Sequence, residues 1–263
     1  MTTGPVRPSP RVRTVTVRVK SEVVQIGLPL VVEIEVNSRC NRHCSYCPVS
    51  LNDSPPVPHL MAPEIFDRIT LELAAFAFDG RLSYHFYSEP LLRRDLSALV
   101  AIARSRLPGA LQVLYTNGDR LDEGRYRELL DAGIDHFVVT QHDSAGFVQR
   151  DRQTVLVPKD LVLTNRGGAL GRASAPLHCR CVVPKELMVI TVTGDLLPCF
   201  EDAKRQHSVG NIMRTPLLEL WASSELERLR WILHTGDRRL GLAMCQACDN
   251  RSHSDDSSTW FAV

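Results

Sequence analysis

The sequence predicts an α/β fold, an open barrel of parallel strands followed by a small cysteine-bearing cap. Strand-like runs alternate with helical patterns through the first two thirds of the chain, and most unusual polar residues directly follow a strand signal. Strands that alternate with helices form βα units and a parallel sheet. In such barrels the chemistry lies on loops at the C-terminal ends of the strands. The last third has a different pattern and ends in a C-x2-C pair, which indicates a separate cap.

The barrel elements follow from short apolar runs and from one-sided helical spacing. In the segment 62–73, Ile65, Ile69 and Leu73 fall on one face of a helix. A second helix is predicted at 123–132. Strands are predicted at 28–36, 81–87, 111–115, 136–140 and 161–164.

The cap is predicted to contain a hairpin and one helix. Residues 187–193 and 196–197 read as two strands that turn at Gly194-Asp195, and residues 216–233 read as a helix rich in Leu and Trp. The predicted domains are an N-terminal tail at 1–24 with an edge strand at 14–19, the barrel at 25–170, the cap at 171–255 and a C-terminal tail at 256–263.

The composition excludes several classes of protein. Lysine and arginine total 31 against 30 aspartate and glutamate, so no net charge favours nucleic acid or an acidic membrane surface. The first residues lack the apolar core of an export signal, and no run reaches the roughly 18 apolar residues of a membrane span. Eight cysteines without such a signal indicate metal or redox chemistry rather than disulfides. We therefore expect a soluble, cytoplasmic protein that binds neither nucleic acid nor membranes.

Cys40, Cys44 and Cys47 form a C-x3-C-x2-C run directly after the first predicted barrel strand. A [4Fe–4S] cluster takes four ligands, and cysteine is the usual donor. Three local cysteines leave one iron with an open position, and an open position distinguishes catalytic metal sites from structural ones. Zinc sites and chance runs share this spacing, so the motif alone leaves those alternatives open.

Placed after a first strand, this loop resembles that of the radical S-adenosylmethionine (SAM) superfamily. Tyr46, just before the third cysteine, fits the family, and the segment 87–90, Tyr-Ser-Glu-Pro, is similar to its SAM-binding GGEP element. The resemblance extends from about Ile34 to Cys248 and includes the subgroup with a twitch auxiliary-cluster domain. Members of that subgroup act on aminoglycosides and aminocyclitols, some as dehydrogenases and some as epimerases. The segments that carry the likeness are 33–38, 85–92, 115–119, 139–142, 165–168 and 197–202.

The resemblance implies a partial (β/α)6 TIM-like barrel with a twitch cap of β-hairpin and helix. It also implies SAM as a cofactor and a one-electron donor such as flavodoxin or ferredoxin. Cys40, Cys44 and Cys47 would hold the SAM-binding cluster, which on gaining an electron cleaves SAM to a 5′-deoxyadenosyl radical. The cofactor carries the difficult chemistry, and the protein positions a C–H bond against the radical. The candidate SAM contacts are Tyr46, Tyr87, Ser88, Glu89, Asn117 and Gln141.

The five remaining cysteines lie in the predicted cap. The resemblance implies an auxiliary [4Fe–4S] cluster whose four ligands leave no position for substrate. Its ligands would be Cys181, Cys199, Cys245 and Cys248. Considered alone, the terminal C-x2-C pair is also typical of a zinc knuckle. Cys179 in place of Cys181 is an alternative ligand.

Three ligands for one cluster and four for the other leave Cys179 without a role. A dehydrogenase needs no spare thiol, whereas an epimerase must return a hydrogen atom to the opposite face of the carbon, and a thiol is a good donor. We therefore predict a radical SAM epimerase that inverts a hydroxyl-bearing carbon of an aminoglycoside or aminocyclitol, with Cys179 as donor. The alternative is a dehydrogenase that makes a ketone there, with Cys179 an inert buried thiol. A non-catalytic zinc scaffold is the third hypothesis.

Glu33 and Arg166 match positions that hold the aminocyclitol in dehydrogenases of the family. A carboxylate at Glu33 would bind an ammonium or ring hydroxyl group of the substrate. Arg166 stays cationic and would favour deprotonation of the reacting hydroxyl, which helps dehydrogenation more than epimerisation. His142 is the third candidate for substrate binding. His85 is a further candidate for the pocket lining, and Asp143, Asp255 and Asp256 are expected to be solvated acids.

Overall fold

The computed structural model describes residues 13–19, 22–51, 58–142, 148–171 and 175–254. Asp143, Asp255 and Asp256 lie outside the described residues, as do the predicted C-terminal tail and the first twelve residues. Among the described residues, no helix has the length and apolar character that crossing a membrane requires.

One eight-stranded sheet organises the molecule, and a separate two-stranded hairpin precedes it. The hairpin is β1 (Thr14–Val19) and β2 (Glu22–Gly27). The sheet contains β3 (Val31–Ile34), β4 (Arg81–Ser83), β5 (Leu111–Thr116), β6 (His136–Thr140), β7 (Gln153–Leu156), β8 (Leu187–Ile190), β9 (Asp195–Leu197) and β10 (Gly210–Asn211). Its strand order is β10-β9-β8-β3-β4-β5-β6-β7, and the six strands from β8 to β7 run parallel.

Seven α-helices connect or follow these strands in the described residues. They are α1 (Pro63–Ala75), α2 (Leu96–Arg106), α3 (Glu123–Ala132), α4 (Val183–Glu186), α5 (Leu217–Trp221), α6 (Ser224–Thr235) and α7 (Ala243–Ala247). Strands β3 and β8 are buried along their whole length, as expected for parallel strands that are covered on both faces.

Local sequence explains where the helices of the barrel start and stop. Pro63 at the first helical position suits the start of α1, because a first-turn proline has no intrahelical bond to lose. The Asp122 side chain accepts a bond from the Arg125 N–H at the start of α3, and Gly133 ends that helix with φ of 121°. These signals place both helices where the sequence predicts them.

The cap joins the sheet through β8, which pairs in parallel with β3. Strand β9 turns back and pairs antiparallel with β8, so the predicted hairpin is present. The fully buried Glu35 carboxylate accepts a bond from the Val192 N–H at 2.9 Å and pairs with Arg205 of the cap. Buried charges persist where they are paired and hydrogen-bonded, and this one links the end of β3 to the cap.

The α/β class and the parallel sheet are confirmed, and several elements differ from prediction. The helix predicted at 216–233 is two helices, because Ser223 caps α6 and interrupts the run after α5. The strand predicted at 161–164 is not formed, and its place in the sheet is taken by β7. Strand β1 has the predicted bounds, and its partner β2 was not predicted. The domain boundaries remain predictions, since one sheet runs through both the barrel and the cap.

Trp221 anchors the cap to the N-terminal hairpin. Its side chain is fully buried, and its indole N–H donates to the Gly27 carbonyl at 2.8 Å. The Arg230 guanidinium lies over the ring, 4.1 Å from its centre, and closes the outer side. The tryptophan therefore supplies both packing and a buried hydrogen bond.

We expect Trp221→Phe to lower the free energy of unfolding by about 1–3 kcal/mol, because the Gly27 carbonyl loses its buried donor. Thermal unfolding under anaerobic conditions should show this as a fall of several degrees in melting temperature. Trp231→Phe is the matched control, because Trp231 is 66% exposed, and its effect should stay within about 0.5 kcal/mol. Equal losses in the two variants would contradict the anchoring role.

Candidate active site

A deep cleft opens at the carboxyl ends of the parallel strands, the edge at which α/β folds place their chemistry. Its volume is about 630 Å³. The structure brings most of the predicted site residues to this one cleft. They are Glu33, Cys40, Cys44, Tyr46, Cys47, Tyr87, Ser88, Glu89, Asn117, His142 and Arg166.

The loop with the first three cysteines is held above the strand ends by backbone and side-chain bonds. The Asn37 side-chain amide donates to the carbonyls of Arg39 and Glu89, each at 2.8 Å. Farther along the loop, Arg42 pairs with Asp119, which follows β5. These ties fix the path of the loop, so its three thiols face one region of the cleft. Three clustered thiols that leave a fourth side open suit a [4Fe–4S] cluster with one accessible iron.

Glu89 joins the loops after β4 and β5. Its buried carboxylate accepts bonds from the Leu91 N–H at 3.0 Å, the Thr116 hydroxyl at 2.7 Å and the Asn117 N–H at 2.8 Å. Burial is the largest cause of the raised pKa of Glu89, and the hydrogen bonds oppose it. The Asn117 side chain in turn donates to Asn41 at 2.9 Å, so this network reaches the cysteine loop.

His142 lies against the cysteine loop, on the far wall of the cleft. Its Nδ1 is 2.7 Å from the Tyr46 hydroxyl and 3.6 Å from the Cys44 sulfur. The two rings are stacked with their centres 6.1 Å apart. Gln141 lies between two cleft-lining residues, Thr140 and His142. His142 therefore contacts the loop that carries the first three cysteines.

The inner end of the cleft is built around Glu33 on β3. Arg81 forms an ion pair with it, with a guanidinium nitrogen 3.8 Å from the carboxylate. Arg81 also donates a hydrogen bond to the Tyr115 hydroxyl at 2.8 Å. Burial raises the pKa of Glu33 to about 7, and the charges of Arg81 and Arg166 only partly oppose this. The carboxyl group is thus poised to change charge near neutral pH.

Several polar atoms in the cleft have no partner within the described part of the chain. They are the His85 Nδ1, the Tyr87 hydroxyl, the Ser88 hydroxyl and the Arg166 Nε. Buried polar groups are normally hydrogen-bonded, so a group of unmatched donors and acceptors indicates a place for a polar ligand. Burial also lowers the pKa of His85 to about 3, which keeps its imidazole neutral.

Tyr87 and Arg166 have strained backbones. Their φ angles are 44° and 50°, values that residues other than glycine rarely adopt. The Arg166 guanidinium lies over the Tyr87 ring, 5.5 Å from its centre. Backbone strain of this kind is concentrated at ligand-binding sites, and here it directs both side chains into the cleft.

A second, much smaller cavity, here called the closed cavity, lies in the cap, with a volume of about 20 Å³. Four of its lining residues are Cys181, Cys199, Cys245 and Cys248. Burial is the main cause that raises the pKa of the Cys245 thiol to about 12 and that of Cys248 to about 11. A bound metal deprotonates such thiols outright. Gly241 permits the packing, because a Cβ there would lie 2.9 Å from the Cys245 Cβ.

The four cysteines line one cavity without converging on a single point, an arrangement that suits a cubane better than a single metal ion. Among the described residues, no group of three His, Cys, Asp or Glu side chains closes around one metal ion. A zinc site draws its sulfurs to about 2.3 Å from one centre. In a [4Fe–4S] cluster each iron takes its own thiolate, so the ligands surround a cavity.

The two cavities share a wall. Asn250 and His253, which follow the last cysteine, line both of them. Glu201 lines the closed cavity, accepts a bond from the Asn250 side chain at 2.8 Å and lies 3.9 Å from an Arg166 nitrogen. A chain of polar contacts thus runs from the cleft to the cysteine cavity.

Cys179 lines neither cavity. Its sulfur accepts a bond from the Arg238 guanidinium at 3.4 Å, and its carbonyl accepts another at 3.3 Å. Next to it, His178 forms a bridge with Asp237. The thiol therefore lies behind the closed cavity rather than in the cleft where a substrate would bind.

Several residues of the site were not predicted from the sequence, among them Arg238, Asn250 and His253. Arg81 and Tyr115, which line the cleft, and Glu201, which lines the closed cavity, were also not predicted. Tyr115 and Glu201 stand in segments that carry the family resemblance, and that resemblance is the sequence signal for them. No sequence signal marked Arg81, because a charge at the start of a strand is normally exposed.

Comparisons with known proteins agree with this geometry. Residues 34–153 match the radical SAM superfamily, and residues 179–249 match the SPASM iron–sulfur cluster-binding domain. The chain is 36% identical over 234 residues to an S-adenosyl-L-methionine-dependent 2-deoxy-scyllo-inosamine dehydrogenase of Niallia circulans. That alignment covers 84% of this chain and 93% of the relative.

Two solved structures also resemble this one. A crystal structure of BtrN in complex with AdoMet and 2-DOIA matches with a TM-score of 0.81 at 35% identity, over 90% of this chain and 100% of that chain. A structure of BtrN in an open conformation matches with a TM-score of 0.73 at 33% identity, over 86% and 95% of the two chains.

These findings correct one prediction. The epimerase hypothesis, with Cys179 returning a hydrogen atom, is wrong, because the relative that matches nearly the whole chain is a dehydrogenase. The position of Cys179 gives the physical reason: its sulfur is bonded to Arg238 behind the cap cavity and does not line the cleft. The hydrogen-donor role rested on Cys179 being the one cysteine not needed as a cluster ligand. In the fold, the Cys179 thiol contacts Arg238 instead of the cleft.

The two matched regions and the two cysteine-bearing cavities agree in position along the chain. The barrel match contains the C-x3-C-x2-C loop, and the cap match contains the cysteines of the closed cavity. The cofactors are SAM and two [4Fe–4S] clusters, and the chain belongs to the radical SAM superfamily, with a SPASM/twitch iron–sulfur cap.

Proposed function

We propose that this protein is a SAM-dependent dehydrogenase that oxidises a secondary alcohol of an aminocyclitol or aminoglycoside to a ketone. The observation that carries the proposal is the 36% identity, over 93% of its length, to a 2-deoxy-scyllo-inosamine dehydrogenase. The position of Cys179 outside the cleft supports it, because a dehydrogenase needs no hydrogen donor on the far face.

Seven cysteines line the two cavities, and each cavity would hold one cluster. Cys40, Cys44 and Cys47 would hold the SAM-binding cluster, and the four cysteines of the closed cavity would hold the auxiliary one. When bound, SAM and its cluster supply the abstraction of a hydrogen atom, and the auxiliary cluster supplies an electron acceptor. The residues that would contact SAM are Tyr46, Tyr87, Ser88, Glu89, Asn117 and Gln141, of which all but Gln141 line the cleft.

The residues at the inner end of the cleft would bind and orient the alcohol. Glu33 offers a buried carboxylate to an ammonium or hydroxyl group of the ring. Arg166 would hold the reacting hydroxyl and favour loss of its proton, because a guanidinium stays charged and stabilises a developing oxyanion. His142 lies beside the cysteine loop and would contact a part of the substrate near that loop.

The remaining partners stay predictions. A one-electron donor such as flavodoxin or ferredoxin would start each turnover, and the cytoplasm would be the compartment in which oxygen-sensitive clusters persist. Both follow from the cofactors and not from a feature of the described surface.

The cavity lining predicts which cysteine can be removed without loss of iron. We expect Cys181→Ala to reduce the iron content of anaerobically reconstituted protein from about eight to about four atoms per chain, because one cluster loses a ligand. The matched control is Cys179→Ala, two residues away, which should keep about eight irons. Iron and acid-labile sulfide analysis measures both. The reverse result would make Cys179 the ligand.

The dehydrogenase proposal predicts the mass of the product. Turnover with SAM and dithionite in D2O, against a panel of aminocyclitols, should give a product two mass units lighter after exchangeable deuterons are washed out. We expect Cys179→Ala to retain turnover within about twofold, because its thiol lies outside the cleft. A product that gains one deuterium, together with loss of turnover in Cys179→Ala, would refute the proposal.

The raised pKa of Glu33 predicts a pH dependence of substrate binding. The pKa is about 7, so the group is mostly neutral at pH 6 and mostly charged at pH 8. A cationic amine binds the charged form better, and KM should therefore fall as the pH rises through this range. We expect Glu33→Gln to have a higher KM that no longer changes with pH, as measured by steady-state kinetics between pH 6 and 8. A wild-type KM that is constant over this range would exclude Glu33 from binding the amine.

A further inference from the structure

Arg238 is a buried cation in the lining of the cap cavity. Its side chain is 2% exposed, and it lines that cavity together with the four cysteines. One guanidinium nitrogen donates to the Cys248 sulfur at 3.6 Å and to the Asn250 carbonyl at 2.9 Å. The other terminal nitrogen donates to the Cys179 sulfur at 3.4 Å and to the Arg180 carbonyl at 3.2 Å.

No carboxylate pairs with Arg238 within the described residues. The acid beside it in sequence, Asp237, pairs with the exposed Arg239 at 2.6 Å instead. A guanidinium remains charged in proteins, and a buried charge is costly unless an opposite charge compensates it. Glu201 lines the same cavity, but its carboxylate is bonded to Asn250. The group in contact with Arg238 that becomes anionic on binding iron is therefore the Cys248 sulfur. The site thus holds a cation whose counter-charge arrives with the cluster.

We propose that Arg238 is a positioning residue that sets the reduction potential of the auxiliary cluster. A [4Fe–4S] cluster with four thiolates is negative, and it becomes more negative by one charge when it is reduced. A fixed buried cation and an N–H donor to a ligand sulfur both stabilise the reduced form more than the oxidised form, which raises the potential. Arg238 therefore makes this cluster a better electron acceptor.

The contacts of Arg238 also assign a role to Cys179. Its carbonyl accepts a bond from the Arg238 Nε at 3.3 Å, so the backbone of Cys179, which Cys179→Ala keeps, holds the guanidinium whose other nitrogen donates to Cys248. The proposal concerns the cap and its cofactor, and it does not depend on which alcohol the enzyme oxidises.

The test is a redox titration of the auxiliary cluster, followed by electron paramagnetic resonance in the full-length chain. Cys40→Ala, Cys44→Ala and Cys47→Ala remove the first cluster from every sample, so one signal remains. Into this background we would introduce Arg238→Gln, Arg238→Lys and, as the matched control, Arg239→Gln. Side-chain exposure of 61% at Arg239 lets solvent screen its charge, although it is the adjacent residue.

We expect Arg238→Gln to lower the midpoint potential by the equivalent of a tenfold or larger change in the reduction equilibrium, about 59 mV for one electron. Arg238→Lys should also lower it, by less, because the charge remains but the fork does not. Arg239→Gln should leave it unchanged.

Three results would overturn the proposal. An unchanged potential in an iron-loaded Arg238 variant would show that the cation does not act on the cluster. An equal shift in Arg239→Gln would show a general charge effect. Loss of the cluster from both Arg238 variants would make the residue a requirement for assembly rather than a determinant of potential.

Discussion

Both cofactor sites depend on the parallel pairing of β3 with β4 on one side and with β8 on the other. The carboxyl end of β3 leads into the loop with the first three cysteines, and Glu33 projects from the same strand into the cleft. Strand β8 carries the hairpin that ends near Cys199. Because β3 is buried along its whole length, its register cannot slip without moving polar residues into the core. One ladder thus fixes the distance between the barrel site and the cap site.

The cleft and the cap cavity are structurally connected, because they share lining residues. Asn250 and His253 line both cavities, and Glu201 links the Arg166 side chain to the cap. Arg238 lines the cap cavity and donates to the carbonyl of Asn250, which is one of the wall residues, at 2.9 Å. The buried cation therefore lies next to the wall that the cleft and the cap cavity share.

The class of fold and the first cysteine motif could be predicted from the sequence because both depend on local pattern, whereas the assignment of the cap cysteines depended on the family resemblance. Alternating elements and the spacing of Cys40, Cys44 and Cys47 are visible in a linear string. The break between α5 and α6 was missed because Ser223 acts as a cap only when the chain before it turns away. Cys179 was assigned a role by counting thiols, and counting does not show which cavity a side chain faces. Arg238 escaped notice because burial of a charge is decided by packing between distant segments.

The shared wall has a further consequence for the behaviour of the enzyme in air. Cys248 is bonded through its sulfur to the backbone N–H of Asn250 at 3.4 Å, so the residues that close the cleft are tethered to a ligand of the cap cluster. Oxidative loss of that cluster would leave the Cys248 sulfur without iron, held only by its hydrogen bonds to protein groups. Damage in the cap would therefore act on Asn250, a residue that also lines the cleft. The shared wall thus makes the integrity of the cleft depend on the integrity of the cap.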